Sequence, residues 1–406
     1  MAFTGKRILL GVSGGIAVYK AAELARRLVA AGAKVKAVMT RAAQEFVAPL
    51  TFQTLTGEKV ATAMFGPGSQ PLEHLALGQE ADAIVLAPAT ANLLGKMAAG
   101  IGDDLLTTIL LAANKPVLVC PAMNCEMWAN PAVQENVARL KARGLTVLQP
   151  EAGELACGAT GYGRLPEPET ILAALARLVS PQDLAGRRIL VTAGPTHEDL
   201  DPVRFLTNRS SGKQGYALAK VSWRRGAEVC LVSGPSHLPG PQGVERVEVR
   251  SAREMLDAVL ARFPQTEALL MAAAVGDYHP TGRAEHKIKR GPQELTVHLT
   301  QNQDILKEVA PLKKKQVVVG FAAETRDLEA AARRKLQDKG LDLIVANEVN
   351  RPDSGFAVDT NEVTIIGRKK LLVRLPLLSK EEVAEKVLDQ VAALLPARRG
   401  AKVPEQ

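Results

Sequence analysis

Short apolar runs alternate with longer helical stretches along most of this sequence, and the alternation limits the fold more than any other feature. The strand-like runs of the first half are KRILLGV, AKVKAVMT, ADAIVLAP and KPVLVCP. Helical stretches such as GGIAVYKAAELARRLVAAGA and PAVQENVARLKARG lie between them. Strands that alternate with helices form parallel βαβ units with right-handed crossovers. The pattern therefore predicts an α/β fold.

One polar segment, SPQDLAGRR at 180–188, interrupts the alternation, which starts again at RILVTAGPT. The later strand-like runs are EVCLVSGP, EALLMAAAV, QVVVGFAAE and LDLIVAN. A chain of 406 residues has room for two domains of ordinary size. We therefore predict two doubly wound α/β domains, over residues 1–185 and 186–406.

Composition narrows the class of protein. Hydrophobic residues make up 47% and charged residues 23%, which is the balance of a soluble globular protein. No apolar stretch reaches the ~18 residues of a membrane span, and the N-terminus lacks the features of a signal peptide. The four cysteines, Cys120, Cys125, Cys157 and Cys230, show no CxxC spacing. We expect a cytoplasmic protein with no membrane association and no disulfide framework.

The net charge of +8 has two interpretations, a solvated basic surface or an anionic ligand such as a phosphate. Aromatic residues are only 3% of the chain, and the lysines and arginines are scattered. These features give little support to nucleic-acid binding, and we expect no nucleic-acid partner. A nucleic-acid-binding protein would bind DNA with a steep dependence on salt, whereas an enzyme would not.

The first strand and the first helix are joined by the glycine-rich turn GVSGGIAVYK. Gly11, Gly14 and Gly15 permit a close approach to the backbone, and the free N–H groups of a helix start attract an anion. The spacing is not GxGxxG, and Thr40 and Arg41 stand where a dinucleotide site has an acidic residue for the ribose. A phosphate therefore suits this turn better than a dinucleotide. On this motif alone, a tight turn with no ligand remains open.

Two further strand ends carry unusual exits. APATANLLGK follows the third strand, and PAMNCEMW follows the fourth. A plain strand exit favours Gly, Asn, Asp and Ser, whereas the second of these exits presents two methionines, an amide and a tryptophan. Methionine packs against apolar ligand surface, and the amide of Asn124 offers a donor and an acceptor. Because the carboxyl ends of parallel strands meet at one edge, these exits predict a crevice for a mononucleotide with a flat ring.

Together these motifs resemble a known family. GVSGGIAVYK, LEHLALG, APATANLLGKMAAGIGDDLL, PAMNCEMW and GELACGATGYGR are similar to those of the flavin-dependent cysteine decarboxylases. The second half carries TAGPTHEDLDPVRFLTNRSSGKQG, MAAAVGDY, KIK, GFAAET and ANEV. This order resembles the bacterial bifunctional coenzyme A biosynthesis proteins, in which phosphopantothenoylcysteine decarboxylase is fused to phosphopantothenate–cysteine ligase. The resemblance implies a flavodoxin-like flavoprotein domain at 1–185 and a Rossmann-like ligase domain at 186–406.

The resemblance also implies two reactions. The ligase joins L-cysteine to 4′-phosphopantothenate with CTP and Mg²⁺ through an acyl-cytidylate. The decarboxylase then converts phosphopantothenoylcysteine to 4′-phosphopantetheine with FMN, because loss of CO2 needs an electron sink that a flavin provides and a side chain does not. In the family the decarboxylase trimerises, with FMN between subunits, and the ligase dimerises. This implies a homo-oligomer, with a dodecamer satisfying both contacts.

For the decarboxylase, the resemblance gives catalytic roles to three residues. Asn124 binds the acyl-cysteine end of the substrate, and Cys157 in GELACGATGYG protonates the enethiol left after decarboxylation. His74 in PLEHLALG orients the substrate carboxylate or accepts the thiol proton. An ordinary surface or loop role is the alternative for His74 and Cys157. The implied FMN-binding residues are Ser13, Gly14, Gly15, Ile16, Thr40, Pro88, Ala89, Thr90, Asn92 and Met123.

For the ligase, Asn208 in TNRSSG matches the family residue that turns over the acyl-cytidylate. Lys287 in HKIKR matches the lysine on the triphosphate, where a cation stabilises developing charge. Asp277 in AVGDY is expected to meet the nucleotide and its Mg²⁺, since carboxylates hold that ion beside phosphates. The implied CTP-binding residues are Met271, Ala272, Ala273, Asp277, Lys287, Asn302, Gln303, Asp304, Ile305, Phe321, Lys335 and Lys339.

Two positions depart from the family pattern. NQDI stands where the family commonly has Asn-Pro-Asp-Ile, and Gly276 stands where it has alanine. Neither departure removes a charged group, so we expect an effect on the fine geometry of the nucleotide site only.

Two other enzyme classes share part of these features. An NAD-linked oxidoreductase needs the acidic residue after the second strand that this sequence lacks. A different flavin-pocket enzyme, such as a flavin prenyltransferase, does not account for the ligase-like second half or for Cys157. The bifunctional enzyme is therefore the prediction.

Overall fold

The computed structural model describes residues 2–65, 72–154, 158–290, 295–324, 327–348, 358–368 and 371–396. The chain divides into two compact units, Met1–Ser180 and Pro181–Gln406. Of the predicted site residues, Cys157 lies outside the described ranges. Within those ranges, the helices are too short or too polar to cross a bilayer.

The first unit is built on a five-stranded parallel sheet. Its strands are β1 (Arg7–Val12), β2 (Lys34–Met39), β3 (Ala83–Ala89), β4 (Val117–Pro121) and β5 (Thr146–Val147). They lie in the order β2-β1-β3-β4-β5, which is the flavodoxin-like order and reverses direction between β1 and β3. Strands β1 and β3 are buried along almost their whole length, because helices cover both faces of the sheet.

The helices of this unit form two layers around the sheet. They are α1 (Val18–Ala30), α2 (Arg41–Gln44), α3 (Pro49–Thr56), α4 (Glu73–Glu80), α5 (Ala91–Ala99), α6 (Leu105–Ala112), α7 (Cys125–Ala129), α8 (Pro131–Ala142) and α9 (Pro168–Val179). Helix α1 buries Val18, Ala21, Leu24, Ala25 and Leu28, which share one face at helical spacing. Helices α1 and α9 contribute to one core, and α5, α6 and α8 contribute to the core on the other face.

An antiparallel pair of strands follows the sheet. It consists of β6 (Glu151–Glu154) and β7 (Thr160–Arg164). Its place near the end of β4 matters for the site described below.

The second unit contains an eight-stranded sheet and three short ribbons. Its strands are β8 (Arg188–Ala193), β9 (His197–Asp199), β10 (Phe205–Thr207), β11 (Glu228–Ser233), β12 (Glu245–Glu248), β13 (Ala268–Met271), β14 (Tyr278–Pro280), β15 (Leu299–Gln301), β16 (Val317–Glu324), β17 (Leu343–Glu348), β18 (Thr360–Asn361), β19 (Val363–Gly367), β20 (Leu372–Arg374) and β21 (Leu378–Ser379). Its helices are α10 (Lys213–Arg224), α11 (Ala252–Arg262), α12 (Ile305–Val309), α13 (Leu328–Asp338) and α14 (Lys380–Leu394).

Six strands of the large sheet are parallel and run in the order β12-β11-β8-β13-β16-β17. This is the Rossmann order, with its reversal between β8 and β13. Strands β19 and β20 extend the sheet in antiparallel fashion. Helices α10 and α14 cover one face, and α11, α12 and α13 cover the other. The predicted α/β fold with two doubly wound sheets is confirmed.

The three ribbons are antiparallel strand pairs outside the large sheet. They are β9 with β10, β14 with β15, and β18 with β21. The first two ribbons lie beside segments that leave the carboxyl edge of the large sheet, and the predicted site residues Asn208, Asp277 and Asn302 directly flank them.

Candidate functional site

A crevice of about 1300 Å³ opens at the carboxyl ends of β1, β3 and β4, where the strand order of the first unit reverses. Open α/β sheets bind ligands at this edge. Pockets for one small molecule usually measure ~300–1,000 Å³, so this crevice has room for a cofactor and a substrate. The predicted residues that line it are Ser13, Gly14, Gly15, Ile16, Thr40, Pro88, Thr90, Asn92, Met123 and Asn124.

The Ser13 hydroxyl joins the ends of β1 and β3. It donates to the carbonyl oxygen of Pro88 at 2.7 Å and accepts from the backbone N–H of Thr90 at 2.9 Å. Ser13 is only 2% exposed, so these bonds are shielded from water. Thr90 in turn caps α5 by accepting from the N–H of Leu93 at 3.3 Å. The two strand exits are therefore fixed against each other, and the floor of the crevice is preformed.

The two central glycines of the β1–α1 turn have different surroundings. A Cβ at Gly14 would overlap Ala42 in α2. A Cβ at Gly15 would meet only the Cγ2 of Thr90, at 3.7 Å. Packing inside the chain therefore requires Gly14, whereas Gly15 leaves space on its crevice side for a ligand.

The remaining predicted flavin residues occupy the rim and the floor. Ile16 is 61% exposed at the rim. Thr40 caps α2 by accepting from the N–H of Ala43 at 3.2 Å, and Asn92 lies in the first turn of α5. Ala89 is fully buried at the end of β3 and does not line the crevice. It supports the floor from beneath.

The segment that follows β4 seats the β6–β7 hairpin. The N–H of Met123 donates to the carbonyl oxygen of Gly163 at 2.9 Å, and a Cβ at Gly163 would collide with the Met123 carbonyl oxygen. A Cβ at Gly161 would lie 2.8 Å from the Cβ of Cys125. Glycine at both positions lets β7 lie directly on the segment that leaves β4.

Of the three residues to which the resemblance gives catalytic roles in decarboxylation, the described part of the chain places only Asn124 in the crevice. Its Oδ1 accepts from the N–H of Glu126 at 2.8 Å and caps α7. His74 is half-buried on α4, which packs against α6, and it does not line the crevice of a single chain. Cys157 falls outside the described residues, and its sequence position is between β6 and β7.

The crevice also contains charged side chains that the motifs alone did not single out. Lys20 pairs with Glu167 at 2.8 Å, and Lys96 pairs with Asp103 at 2.8 Å. The bond with Asp103 raises the pKa of Lys96, and the same bond lowers the pKa of Asp103. Lys96 lies four residues after Asn92 on α5, so the two side chains share one face of the helix. This spacing would have allowed Lys96 to be predicted from Asn92.

A second crevice, of about 1110 Å³, opens at the carboxyl ends of β8 and β11 in the second unit. It lies beside the reversal of strand order between β8 and β13, which is the expected ligand position. Among the predicted residues, Asn208 lines it. Other lining residues are His197, Phe205, Ser211, His237 and Arg250.

Asn208 connects two segments that flank this reversal. Its Nδ2 donates to the carbonyl oxygens of Ala274 at 3.2 Å and Val275 at 3.0 Å. Asn208 directly follows β10, whereas both acceptors follow β13. The amide therefore holds the exit of β13 beside the wall of the crevice.

Two threonines support the exit of β13 from the sheet side. Thr192 accepts from the N–H of Ala273 at 3.2 Å, and Thr196 accepts from the N–H of Gly276 at 2.9 Å. Residues 271–273 thus leave the sheet in a fixed conformation. A Cβ at Gly276 would lie 3.3 Å from the Thr196 Oγ1, so an alanine there needs only a small adjustment. This departure from the family pattern is accommodated locally.

Residues 302–305 lie beside Asp277. The N–H of Asn302 donates to the carbonyl oxygen of Asp277 at 2.8 Å. Asp304 caps α12 with its side chain and pairs with Lys339 at 3.1 Å, and Ile305 is buried in the core. The structure therefore brings together six of the predicted CTP positions, Asp277, residues 302–305 and Lys339, from three separate parts of the chain.

Three further predicted CTP residues, Phe321, Lys335 and Lys287, lie on other segments of the second unit. Phe321 is half-buried on β16, and Lys335 lies in the last turn of α13. Lys287 is exposed, and among the described residues no hydrogen bond or ion pair joins its ammonium to Asp277 or Asn302. In the described part of the chain, Lys287 is thus not bonded to these two predicted CTP residues.

An ion pair forms part of the wall of the second crevice. Arg250 donates to the Asp199 carboxylate with a shortest N···O distance of 2.6 Å, and this bond lowers the pKa of Asp199. His197 stacks on Phe205 with ring centroids 3.9 Å apart, and burial, aided by the charge of Arg250, lowers its pKa. His197 and Asp199 lie within the motif TAGPTHEDLDPVRF, but no sequence signal connects Arg250 to them.

No group of three or more His, Cys, Asp and Glu side chains in the described ranges is arranged to hold a metal ion. Mg²⁺ usually keeps several waters and binds through one or two carboxylates together with substrate phosphates. A Mg²⁺ ion at Asp277 would therefore depend on a bound nucleotide.

Family models match both units. The flavoprotein model matches residues 2–180, and the model of the DNA/pantothenate metabolism flavoprotein C-terminal domain matches residues 184–395, more than half of the chain. A crystal structure of the C-terminal domain of a coenzyme A biosynthesis bifunctional protein CoaBC is 42% identical to this chain. The match covers 52% of this chain and 97% of that one, with a TM-score of 0.46.

Full-length relatives carry one name. The chain is 47% identical over 398 residues to the coenzyme A biosynthesis bifunctional protein CoaBC of Vibrio vulnificus (strain YJ016), covering 96% of this chain and 98% of that protein. It is 46% identical over 394 residues to the protein of the same name from Bacillus subtilis (strain 168), covering 96% and 97%. The chain therefore belongs, as its motifs predicted, to the family of coenzyme A biosynthesis bifunctional proteins.

Proposed function

We propose that this bifunctional enzyme carries its FMN-dependent decarboxylase in residues 1–185 and its CTP-dependent ligase in residues 186–406. Family membership makes the chain a flavoprotein decarboxylase joined to a ligase. The ligase joins L-cysteine to 4′-phosphopantothenate through an acyl-cytidylate, and the decarboxylase converts phosphopantothenoylcysteine to 4′-phosphopantetheine. The observation that carries the proposal is that each unit has a crevice at or beside its strand-order reversal, lined by residues of the motifs that carry the resemblance.

The first crevice suits FMN. Helix α1 starts beside Gly15 without a side-chain cap, and the N–H groups of Val18 and Lys20 donate to the carbonyl oxygens of Gly15 and Ala17. The positive end of the helix dipole therefore favours a phosphate there. Met123 and Met127 line the crevice and supply polarizable surface for a flat ring. Thr40 and Asn92 add polar groups at its edges. When bound, the flavin supplies the electron sink that loss of CO2 requires.

Asn124 is proposed to bind the acyl-cysteine end of the substrate. Because its Oδ1 caps α7, the orientation of the amide is set before the substrate arrives. His74 is proposed to orient the substrate carboxylate or to accept the thiol proton. Cys157 is proposed to return a proton to the enethiol. These three residues thus bind, orient and protonate the substrate.

A second copy of the chain is proposed to complete the first crevice. His74 lies outside the crevice of its own chain. Three apolar side chains at the crevice are exposed, Ile16 by 61%, Tyr19 by 60% and Met127 by 48%. Both observations support a neighbouring copy that covers the crevice, and the family resemblance makes the assembly a trimer. Together with a dimeric ligase, this arrangement gives the proposed dodecamer.

In the ligase, CTP is proposed to lie along the carboxyl ends of β13 and β16. There Asp277, Asn302 and Lys339 belong to one connected group. Mg²⁺ is proposed to join the Asp277 carboxylate to the phosphates of the nucleotide. Lys287 is exposed, so its contact with the triphosphate requires movement of its segment or a second copy.

The crevice at β8 and β11 is then the proposed binding place for the phosphopantothenate substrate. It lies beside the residues proposed to bind CTP. Asn208 lines the crevice and donates to the segment that follows β13, so it connects the two proposed binding places. Helix α10 begins at Lys213 without a side-chain cap, which favours an anionic group near Ser211. The proposed location in the cell is the cytoplasm, in keeping with the free thiols of Cys120, Cys125 and Cys230.

The test supplies the full chain with 4′-phosphopantothenate, CTP, Mg²⁺ and L-cysteine and follows pyrophosphate and CO2 separately. We expect a yellow, flavin-absorbing protein that releases both products. Phosphopantothenoylcysteine alone should give CO2 without pyrophosphate. A colourless protein that still decarboxylates would contradict the flavin assignment, and pyrophosphate release that does not need CTP would contradict the ligase assignment.

A further inference from the structure

The ribbon of β14 and β15 brings two proposed nucleotide-binding residues together. In its register, His279 faces Thr300. Asp277 directly precedes β14 and Asn302 directly follows β15, so both lie at the same end of the ribbon. Their backbones are joined by the 2.8 Å bond from the Asn302 N–H to the Asp277 carbonyl oxygen.

His279 extends this connection to the side chain of Asn302. Its Nδ1 lies 2.8 Å from the Asn302 Oδ1, and the Asn302 Nδ2 donates to the carbonyl oxygen of Gly276 at 2.8 Å. Because the amide nitrogen donates to a carbonyl, the amide oxygen faces the imidazole, and Nδ1 must carry the hydrogen of this bond. His279 therefore determines which way the Asn302 amide points.

The following residues of the 302–305 turn are held by other elements. Gln303 accepts from Arg253 on α11 at 2.8 Å. Asp304 caps α12 and pairs with Lys339. The His279 bond is the one that ties the first side chain of the turn to the ribbon and hence to Asp277.

We propose that His279 is a positioning residue of the nucleotide site. Through Asn302 it holds the 302–305 turn beside Asp277, and it thereby sets the affinity for CTP without touching the nucleotide. The inference rests on the proposed function, which places CTP against Asp277 and Asn302. The competing interpretation is that His279 only stabilises the ribbon, in which case its loss lowers thermal stability without a selective effect on CTP.

The test replaces His279 in the full chain. His279→Phe keeps a ring and removes the donor, whereas His279→Asn places an amide N–H near the position of Nδ1. His298→Phe is the matched control, since His298 is exposed and directly precedes β15 in the same ribbon. Each variant is assayed for its KM and Kd for CTP, its KM for the phosphopantothenate substrate and its thermal midpoint.

We expect the KM and Kd for CTP to rise about tenfold in His279→Phe, because a part-buried amide oxygen loses its partner. The KM for phosphopantothenate should stay within about twofold, since the second crevice is built from other residues. His279→Asn should recover most of the CTP affinity, and His298→Phe should match the unaltered chain. In an Asn302→Ala background, His279→Phe should have no further effect on CTP.

Unchanged CTP affinity in His279→Phe would overturn the inference. An equal rise in both KM values with a lower thermal midpoint would overturn it as well, because that is the behaviour of a residue that only stabilises the ribbon. A full additional effect in the Asn302→Ala background would mean that His279 does not act through Asn302. Failure of the proposed function can be told apart from failure of the inference about His279. In the first case the unaltered chain itself would neither bind CTP nor release pyrophosphate from CTP, and the inference would fail as well.

Discussion

The side-chain nitrogen of Asn208 donates to two consecutive carbonyl oxygens, those of Ala274 at 3.2 Å and Val275 at 3.0 Å. Both hydrogens of the amide are therefore engaged with backbone acceptors. An amide satisfies this arrangement, whereas a carboxylate has no hydrogen to donate and is repelled by both carbonyl oxygens. The relationship makes residue 208 sensitive to a change that leaves its size almost unaltered.

Asn208→Asp should therefore separate the two chemical steps of the ligase. We expect the variant to release pyrophosphate and accumulate the acyl-cytidylate, because the side chains proposed to bind CTP are themselves unaltered. Amide formation should fall by ~10²-fold, the usual effect of losing one well-placed donor. Quenched reactions analysed by mass spectrometry measure the intermediate. Normal amide formation by the variant would remove Asn208 from the site.

The two glycines of the β1–α1 turn should respond differently to alanine. Gly14→Ala should lower the free energy of unfolding of the first unit by ~1–3 kcal/mol, because the methyl group overlaps Ala42. Gly15→Ala should leave that free energy nearly unchanged, since its nearest neighbour would be 3.7 Å away, but should weaken flavin binding. Urea unfolding of flavin-free protein and flavin content after purification measure the two effects. Equal flavin content in Gly15→Ala and the unaltered chain would place the ligand elsewhere.

The sequence predicts both large sheets because buried parallel strands form continuous apolar runs between helices. It does not predict the ribbons. Strand β10 consists of Phe205–Thr207 and is exposed throughout, and β14 and β15 have three residues each. Such strands carry no periodic signal, since they pair because neighbouring segments bring them together.

The same distinction holds for the site. Residues at strand exits, such as Ser13, Thr90 and Met123, line the crevice at the sheet edge where the topology places them. The bond between His279 and Asn302 joins residues 23 positions apart through a ribbon that the sequence does not predict. The sequence motif around His74 likewise does not predict that this residue lies outside the crevice of its own chain, because that position depends on how α4 packs.

Cys157→Ser should stop the decarboxylase after loss of CO2. The variant should still bind FMN, because the described crevice residues are unaltered. A serine hydroxyl is far less acidic than a thiol, whose usual pKa is ~8.5, so protonation of the enethiol should fail. We expect one bleaching of the flavin absorbance, one release of CO2 and an enethiol product two hydrogens lighter than phosphopantetheine.

His74→Asn is the comparison variant for this experiment. It should stop the reaction earlier, with the flavin absorbance unchanged on addition of phosphopantothenoylcysteine. If Cys157→Ser makes normal phosphopantetheine at the parent rate, the cysteine is an ordinary loop residue and another group is the acid.

The ligase half should work alone, and its stability should depend on where the fragment begins. Leu184 is fully buried in the core of the second unit, and Asp183 pairs with Arg225 at 2.5 Å. A fragment of residues 181–406 should form phosphopantothenoylcysteine without flavin. A fragment of residues 186–406 should lose ~2–5 kcal/mol of unfolding free energy, the usual cost of removing a buried leucine.

Urea unfolding and pyrophosphate release measure the two fragments. Leu184→Ala in the longer fragment is the matched control and should account for most of the difference. A folded 181–406 fragment without ligase activity would contradict the assignment of the ligase to the second unit.

Lys380 should make the stability of the second unit depend on pH in the alkaline range. It is 6% exposed at the start of α14, and burial, together with the charge of Lys213, lowers its pKa from 10.5 to about 8, with Asp359 opposing the shift. Between those two values the unfolded chain binds more protons than the folded one, so the free energy of unfolding rises with pH from about 8 to 10.5. Below pH 8 both states carry the proton, and the full cost of the buried charge is present.

Lys380→Met should therefore stabilise the unit at neutral pH and remove this slope, whereas Lys386→Met, on the exposed side of the same helix, should keep it. Urea unfolding from neutral pH to about pH 10.5 measures both variants, and a slope that persists in Lys380→Met would assign it to another group.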